Sequence, residues 1–454
     1  MVTEALLEQY NQPVPRYTSY PTVPFWQEGL DADAWKSIFR DRFAAINQAD
    51  GISLYLHLPY CESLCTYCGC NKKITTNHSV EEEYIRALLK EWESYRRLMG
   101  SQPVIREIHL GGGTPTFFSP RNLEWLISTL LKDSIIHPDH SFSIEGHPNN
   151  TTREHLQTLF DLGFRRISYG VQDNDPIVQF IINRIQPFEN VARATEQARE
   201  IGFTSVNFDL IYGLPRQTIE GMTQTLEQCI SLRPDRVAFY SYAHVPWTSR
   251  GQRLFDESDL PNAELKMNLY RLGKERFAQH GYVDIGMDHF STREDELFIA
   301  REAGWLHRNF MGYTTQKSGL LLGLGVSSIS DAYWGYAQNH KTIHDYLSAV
   351  NEGELAVTKG CLLSEEDARF RKYILDISCQ GRTAFEAEDL ETLAQYSFPK
   401  LRSLAADGLV EWDEEGAALT PLGHHFIRNV CSAFDLYLQR NKSKNEKPLF
   451  SKAI

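Results

Sequence analysis

No apolar run in the 454 residues approaches the roughly 20 residues that a bilayer-crossing helix needs, and the opening stretch MVTEALLEQYNQPVPRYTSYPT lacks the basic-then-apolar order of a secretory leader. The expectation is a cytoplasmic protein that does not contact membrane. Basic charge is short as well. Against 59 Asp and Glu stand 46 Lys and Arg, a formal net charge of −13, so the broad basic face required for nucleic-acid binding is missing. Any anionic ligand must then find a local group of cations. Cysteine is scarce: of eight, four are scattered singly at Cys229, Cys361, Cys379 and Cys431, which argues against the framework of a disulfide-stapled secreted domain. What remains, with 42% hydrophobic residues, is enough for a large core and more than one domain.

Short β-rich runs recur with helical stretches between them: SLYLHL (53–58), EIHLGGG (107–113), SFSIEGHP (141–148), RRISYGVQ (165–172), SVNFDLIYG (205–213) and DRVAFYSYAHVP (235–246). Repeated βα units imply a parallel sheet with helices outside. Between the first two runs, Ser79 and Glu82 form a capping-box pattern, and Tyr84, Leu88, Trp92 and Tyr95 follow at helical spacing on one stripe. Later helices start at threonines near 151 and stop at Gly163 and Gly202. Six units are too few for a closed eightfold barrel, so the expected fold is an α/β open, partial (β/α)6 barrel. In such folds the chemistry sits at the carboxyl ends of the strands. Those ends carry Cys61, LGGGTP, Glu145, Gln172, Asp209, and Ala243 with His244.

The other four cysteines crowd into YCESLCTYCGC, at 61, 65, 68 and 70. Three thiolates from one tight loop suit three irons of a [4Fe–4S] cube, leaving the fourth iron open to a small molecule. The C-x3-C-x2-C spacing is similar to that of radical S-adenosylmethionine enzymes, with aromatic Tyr67 before the last cysteine. The alternative is a zinc knuckle using all four thiols, although such sites usually pair two separated hooks. Gly111, Gly112 and Gly113 let the backbone approach a ligand closely, and Thr114 adds a hydroxyl. Glu145 emerges from an apolar strand, well placed for ribose hydroxyls. Asp209 stands inside VNFDLIYG, either as a ligand group or as a buried carboxylate satisfied by backbone donors.

PRYTSYPT, YLHLPYCESLCTYCGCNK, GGGTPT, GVQD, NRIQ, NFDLIYGLPRQT, GMDHF, HRNFMGYTTQ and LLGLGVSSIS occur in this order. From about residue 10 to its C-terminus the chain resembles the oxygen-independent coproporphyrinogen III oxidases of the radical S-adenosylmethionine superfamily. The resemblance implies oxidative decarboxylation of two propionates of coproporphyrinogen III to vinyl groups, giving protoporphyrinogen IX. It implies a [4Fe–4S] cluster on Cys61, Cys65 and Cys68, with Cys70 outside the ligand set, and two S-adenosylmethionine molecules per monomer. Tyr55, Gly112, Glu145 and Ile329 match positions around the first; Tyr67, Gly113, Thr114, Gln172, Arg184, Asp209 and Ala243 match those around the second. An electron donor such as ferredoxin or flavodoxin and a monomeric state are further expectations. His147 in IEGHP and Asn174 in GVQDND depart from the commoner pattern without touching a matched ligand.

The implied domains are an arm over 1–48 covering the active site, the barrel and its extension over 49–360, and a C-terminal unit over 361–454. The last reads as a mainly helical, winged-helix-like unit whose wing, EWDEEG, is acidic where phosphates would lie. His424 and His425 have no metal partner at ligand spacing. Arg16, Lys72 and Arg308 are candidates for holding substrate carboxylates, with Tyr313 and Gln316 as polar neighbours. Two other functions stay open here: a related radical enzyme that methylates or opens a tetrapyrrole, and a zinc-binding winged-helix regulator.

Overall fold

Six strands lie side by side in chain order, all parallel: β1 (Ile52–Leu58), β2 (Val104–Gly112), β3 (Ile135–Gly146), β4 (Phe164–Gln172), β5 (Ser205–Tyr212) and β6 (Arg236–Ser241). The computed structural model describes residues 3–247, 249–441 and 450. Connecting helices are α1 (Val80–Met99), α2 (Pro120–Leu131), α3 (Arg153–Asp161), α4 (Phe188–Ile201) and α5 (Ile219–Ser231). Ser119, Thr152 and Thr218 cap α2, α3 and α5, each accepting from a backbone N–H of the first turn. Gly202 ends α4 at φ 116°, a conformation only glycine adopts without strain.

The capping box expected at Ser79 does not form, since the Ser79 side chain makes no cap bond. Glu81 turns inward instead, accepting from the Ser119 N–H at 2.8 Å and from Asn122 Nδ2 at 2.7 Å. The Tyr84, Leu88, Trp92 and Tyr95 stripe is buried in the core, as its spacing predicts.

Residues along the strands alternate in an unusual sense. Leu54, Leu56, Leu58, Ile108, Leu110, Ile144, Ile167, Val206, Phe208 and Leu210 join the core shared with the helices, each such side chain contributing about 1.5–3 kcal/mol by burial. The opposite face carries Ser53, Tyr55, His57, Glu107, His109, Ser143, Glu145, Ser168, Asn207 and Asp209, bonded to one another across the register. This polar face lines the interior.

The six predicted strands belong to a larger 13-stranded sheet, which does not close. Beyond β6 lie β7 (Val283–Gly286) and β8 (His289–Ser291), both antiparallel additions. The hairpin β9 (His307–Asn309) and β10 (Gly312–Thr314) forms a separate ribbon. On the other side β11 (Leu321–Leu324) pairs with β1 as a seventh parallel strand, followed outward by β12 (Ile329–Asp331), β13 (Gly335–Asn339) and β14 (Val357–Leu362).

In the C-terminal stretch a helix, Glu365–Gln380, precedes a three-stranded antiparallel sheet of Arg382–Ala384, Gly416–Leu419 and Val410–Trp412, with helix Phe398–Ala406 between. Its core includes Phe370, Tyr373, Ile377, Phe426 and Phe434, and takes in Tyr10, Tyr17 and Tyr20 from the start of the chain. Trp35, Phe39 and Phe43 of helix Ala32–Ile46 join the barrel core instead. Among the described residues no helix is long and apolar enough to cross a membrane.

One buried carboxylate anchors the turn between β11 and β12. Glu91 of α1 accepts from the Gly325 N–H (2.8 Å), the Tyr346 hydroxyl (2.7 Å) and Asn339 Nδ2 (2.6 Å). Replacing Glu91 by Gln turns an amide N–H2 toward these donors. The expected cost is about 1–3 kcal/mol, visible as a lower Tm. Burial raises the Glu91 carboxyl from 4.5 to about 7, so the folded protein holds this proton more tightly than the unfolded chain. Stability from this group is present below pH 4.5 and is lost as pH rises through about 7. Tm measured against pH should show this falling component in the parent protein and lack it in Glu91→Gln.

Candidate active site

The cysteine loop leaves β1 and is pinned at its base by a two-residue parallel pairing of Tyr60–Cys61 with Lys73–Ile74. Its backbone is held from several sides. Thr66 N donates to Ile182 O (3.0 Å), Asn183 Nδ2 to Leu64 O (2.8 Å), Gln252 Nε2 to Tyr67 O (2.8 Å), and Ser249 Oγ to Cys68 O (3.1 Å). Lys72 Nζ donates to the carbonyls of Cys68 and Cys70 at 3.0 and 3.4 Å, so this candidate substrate cation is committed to the loop. The thiols themselves are free: Cys61, Cys65 and Cys68 are half-buried and Cys70 is exposed.

Donors approach two of the sulfurs, Thr114 Oγ1 at 3.3 Å from Cys61 Sγ and Arg184 Nη1 at 3.6 Å from Cys65 Sγ. Burial pushes the Cys61 thiol up to about 11, whereas the Cys70 side-chain hydrogen bond and Lys72 bring Cys68 down to about 6. Sulfurs that accept hydrogen bonds suit thiolate ligands. No three His, Cys, Asp or Glu side chains among the described residues converge as ligands of one ion.

Two cavities open at the carboxyl ends of the strands. The larger, about 460 Å³, is lined by Cys61, Cys65, Cys68, Tyr67, Gly113, Thr114, Gln172, Arg184 and Asp209; the smaller, about 290 Å³, by Tyr55, His57, His109 and Ile329. Gly112, Glu145 and Cys70 line both. The glycine triplet makes this shared wall thin. A Cβ on Gly112 would lie 2.9 Å from the His57 ring, and one on Gly113 would lie 2.5 Å from Pro59 O. Ala243 is not among the lining residues; its carbonyl accepts from Gln252 Nε2 at 3.2 Å, beside the bond that holds Tyr67.

Interior hydrogen bonds orient the lining groups. Tyr55 Oη lies 3.1 Å from His57 Nδ1, and His57 Nε2 lies 2.9 Å from Asn71 O, so the imidazole proton is on Nε2 and Nδ1 accepts from the phenol. His109 Nε2 donates to Glu145 Oε1 at 3.2 Å, leaving Nδ1 for Ser143 Oγ at 2.8 Å. Asp209 accepts from Ser168 Oγ (2.9 Å) and Asn207 Nδ2 (2.8 Å), both side-chain donors. Arg184 donates to Gly170 O at 2.5 Å while its buried Nε has no partner. Gln172 is held at φ 67°, costly for a residue with a Cβ and found where a site over-determines the backbone. His147 also faces the larger cavity. Gln316 lies elsewhere, bonded to Arg106 near the start of β2, and Tyr313 donates to Ser378 O at 2.6 Å.

Sequence reasoning passed over His57, His109 and Gln252. The two histidines were visible as the polar positions of alternating strands, LYLHL and IHLGG. Nothing local marks Gln252, whose role depends on contacts with a loop far away in the chain.

A glycine-lined, three-cysteine loop at the carboxyl ends of an open parallel barrel defines a radical S-adenosylmethionine protein, and the Radical SAM superfamily model matches residues 55–229. The oxygen-independent coproporphyrinogen III oxidase of Helicobacter pylori strain J99 is 38% identical over 97% of this chain and 98% of that protein, and that of Escherichia coli K12 is 39% identical over 99% and 98%. The solved structure of E. coli coproporphyrinogen III oxidase (HemN), described as a radical SAM enzyme, superposes with a TM-score of 0.87 at 37% identity, covering 94% of this chain and all of that one. The chain belongs to the oxygen-independent coproporphyrinogen III oxidase family.

Burial raises the Asp209 carboxyl to about 6, with Glu145 adding repulsion. Below that pH the group is neutral; above it, the carboxylate is available to a cationic or hydroxyl ligand. Affinity for S-adenosylmethionine, measured by equilibrium dialysis, should therefore rise as pH increases through about 6 and this limb should vanish in Asp209→Asn.

Proposed function

We propose that this chain converts coproporphyrinogen III to protoporphyrinogen IX by oxidative decarboxylation of two propionates to vinyl groups. The observation that carries the reading is the cysteine loop, its backbone held from several sides and its thiols outside any disulfide, beside the glycine wall at the strand ends of a chain from this family. Cys61, Cys65 and Cys68 would hold a [4Fe–4S] cluster, and residues of the two cavities would hold S-adenosylmethionine. When bound, the reduced cluster and its cofactor supply the radical that takes a hydrogen from a propionate β-carbon.

The chain's own groups bind and orient. Gly112 and Gly113 bring backbone to the ligands, Glu145 accepts from hydroxyls, and Arg184, held by Gly170 O and Cys65 Sγ, places a positive charge at the wall beside a ligand carboxylate. Tyr55, fixed by His57, and Ile329 form the apolar side of the smaller cavity. Two cavities divided by Gly112 and Glu145 support two S-adenosylmethionine molecules per chain, the residues matched to the first lining one and most of those matched to the second lining the other. Electrons would come from a ferredoxin or flavodoxin. The hairpin from Val410 to Leu419 carries Glu411, Asp413, Glu414 and Glu415, which supports a covering role for the 361–454 unit over binding to nucleic acid. The arm over 1–48, the barrel over 49–360 and this unit would act as one cytoplasmic monomer.

The test is anaerobic reconstitution with iron and sulfide, then incubation with reductant, S-adenosylmethionine and coproporphyrinogen III. The expected products are CO2, 5′-deoxyadenosine and a divinyl tetrapyrrole. Cys68→Ser should lose both iron and product, and Cys70→Ser should keep its iron. Zinc in place of iron, or methyl transfer without CO2 release, would overturn the assignment.

A further inference from the structure

The least satisfied buried cation described is Arg308, on β9. It is 6% exposed, and its Nε and Nη1 are buried without an acceptor. Nη2 reaches only a neutral acceptor, the backbone carbonyl of Arg16 at 3.4 Å. A guanidinium stripped of water and given one long bond costs several kcal/mol unless an anion completes it.

Its surroundings offer no carboxylate. The guanidinium lies 4.7 Å from the Tyr313 ring centre, whose other neighbour is His289, edge-on at 5.2 Å. His289 Nδ1 donates to Met287 O at 3.0 Å, so Nε2 accepts from Tyr240 Oη at 3.3 Å, and the ring is neutral. The nearby acid, Asp288, is already paired with Arg16 Nη1 at 3.2 Å. The cluster sits against both cavities: Tyr240 lines the larger, and Phe310 and Met311, at the tip of the Arg308 hairpin, line the smaller. Above it, Pro15 and Val14 are fastened by Arg428, whose Nε donates to Pro15 O at 3.2 Å and whose Nη2 bonds Val14 O.

We propose that Arg308 binds a propionate carboxylate of the substrate that is not being decarboxylated, and that the Arg16 carbonyl occupies this subsite until the carboxylate displaces it. The inference rests on the coproporphyrinogen reading and makes Arg308 a specificity-determining residue within it. A tetrapyrrole whose reacting side chain enters between the cavities carries three other carboxylates, and a chain of net charge −13 needs a desolvated cation to select them.

The experiment uses the reconstituted enzyme without reductant and reads binding of coproporphyrinogen III and of its tetramethyl ester. In Arg308→Gln the Kd for the acid should rise roughly 10- to 100-fold, the loss of a charge-assisted hydrogen-bonded pair, while the ester binds parent and variant alike. Iron content and S-adenosylmethionine affinity should not change, Arg308→Lys should recover part of the loss, and under turnover Arg308→Gln should release more of the singly decarboxylated product. Equal affinity of Arg308→Gln and parent for the acid would overturn the proposal. Failure of the parent to bind coproporphyrinogen III at all would instead sink the functional reading. Should the variants not fold, a crystal structure of the parent with coproporphyrin III decides: a carboxylate within hydrogen-bond distance of Arg308 supports the subsite, and an Arg308 still bonded to Arg16 O rejects it.

Discussion

A parallel strand covered by helices on one side and curved around an interior on the other must make both faces pay for themselves, and here the inner face is polar. Every polar group placed there needs a partner, because an unpaired buried donor or acceptor costs about as much as a whole hydrogen bond contributes several times over. At the amino ends of the strands that demand is met internally. Glu107 accepts from Ser53 Oγ (2.8 Å) and Thr314 Oγ1 (2.9 Å), Arg166 donates to Ser141 Oγ (2.9 Å), and Arg236 pairs with Asp295 at 2.7 Å. Toward the carboxyl ends saturation falls. Asp209 and Glu145 have neutral or histidine donors only, Arg184 keeps a bare Nε, and the sulfurs of Cys61 and Cys65 take only the long bonds from Thr114 Oγ1 and Arg184 Nη1 at 3.3 and 3.6 Å. The interior is thus more fully bonded below, where of these groups Arg236 Nη2 lacks a hydrogen-bond partner, than above, where the charged groups face the cavities.

The same division appears within the cysteine loop. Backbone groups of Leu64, Thr66, Tyr67 and Cys68 are taken up by two segments remote in sequence, residues 182–183 and 249–252. That fixes where the sulfurs stand without spending them. Metal-ligand geometry is held by partners outside the ligand set, and Gln252 is the clearest such partner, bonding Tyr67 O, Ala243 O and, through Oε1, the Val245 N–H. Ala243 enters this arrangement through its backbone carbonyl.

The barrel was legible because its strands alternate strictly and its helices carry local start and stop signals. SLYLHL, SVNFDLIYG and the Gly163 and Gly202 stops fall where the structure has them, and the strand-end rule gathered Cys61, Gly112, Glu145, Gln172 and Asp209 before any coordinates. The seventh parallel strand was not legible. Leu321–Leu324 earns its place by pairing with Ser53–Leu56, a partner far along the chain, and a short run containing Gly323 carries no periodicity of its own. Gly323 is needed there because a Cβ would lie 2.5 Å from Ile329 O. Ser79 fails as a cap because its own backbone is already helical, at φ −64° and ψ −15°, and Glu82 turns to Arg86 at 2.7 Å. Local pattern predicts elements well where neighbours in sequence compete alone, and poorly where tertiary partners enter.

The start of the chain joins these two levels. Tyr10, Tyr17 and Tyr20 are buried with the C-terminal residues, while Trp35, Phe39 and Phe43 are buried with the barrel. The stretch between them is thereby tied at both ends to different cores, and Trp26 stacks on Tyr336 of β13 at 5.0 Å. Attachment to both lays Arg16 against Tyr240, with its guanidinium 5.6 Å from the ring centre, at the wall of the larger cavity. Residues from both cores therefore meet beside the wall of the larger cavity, at Tyr240.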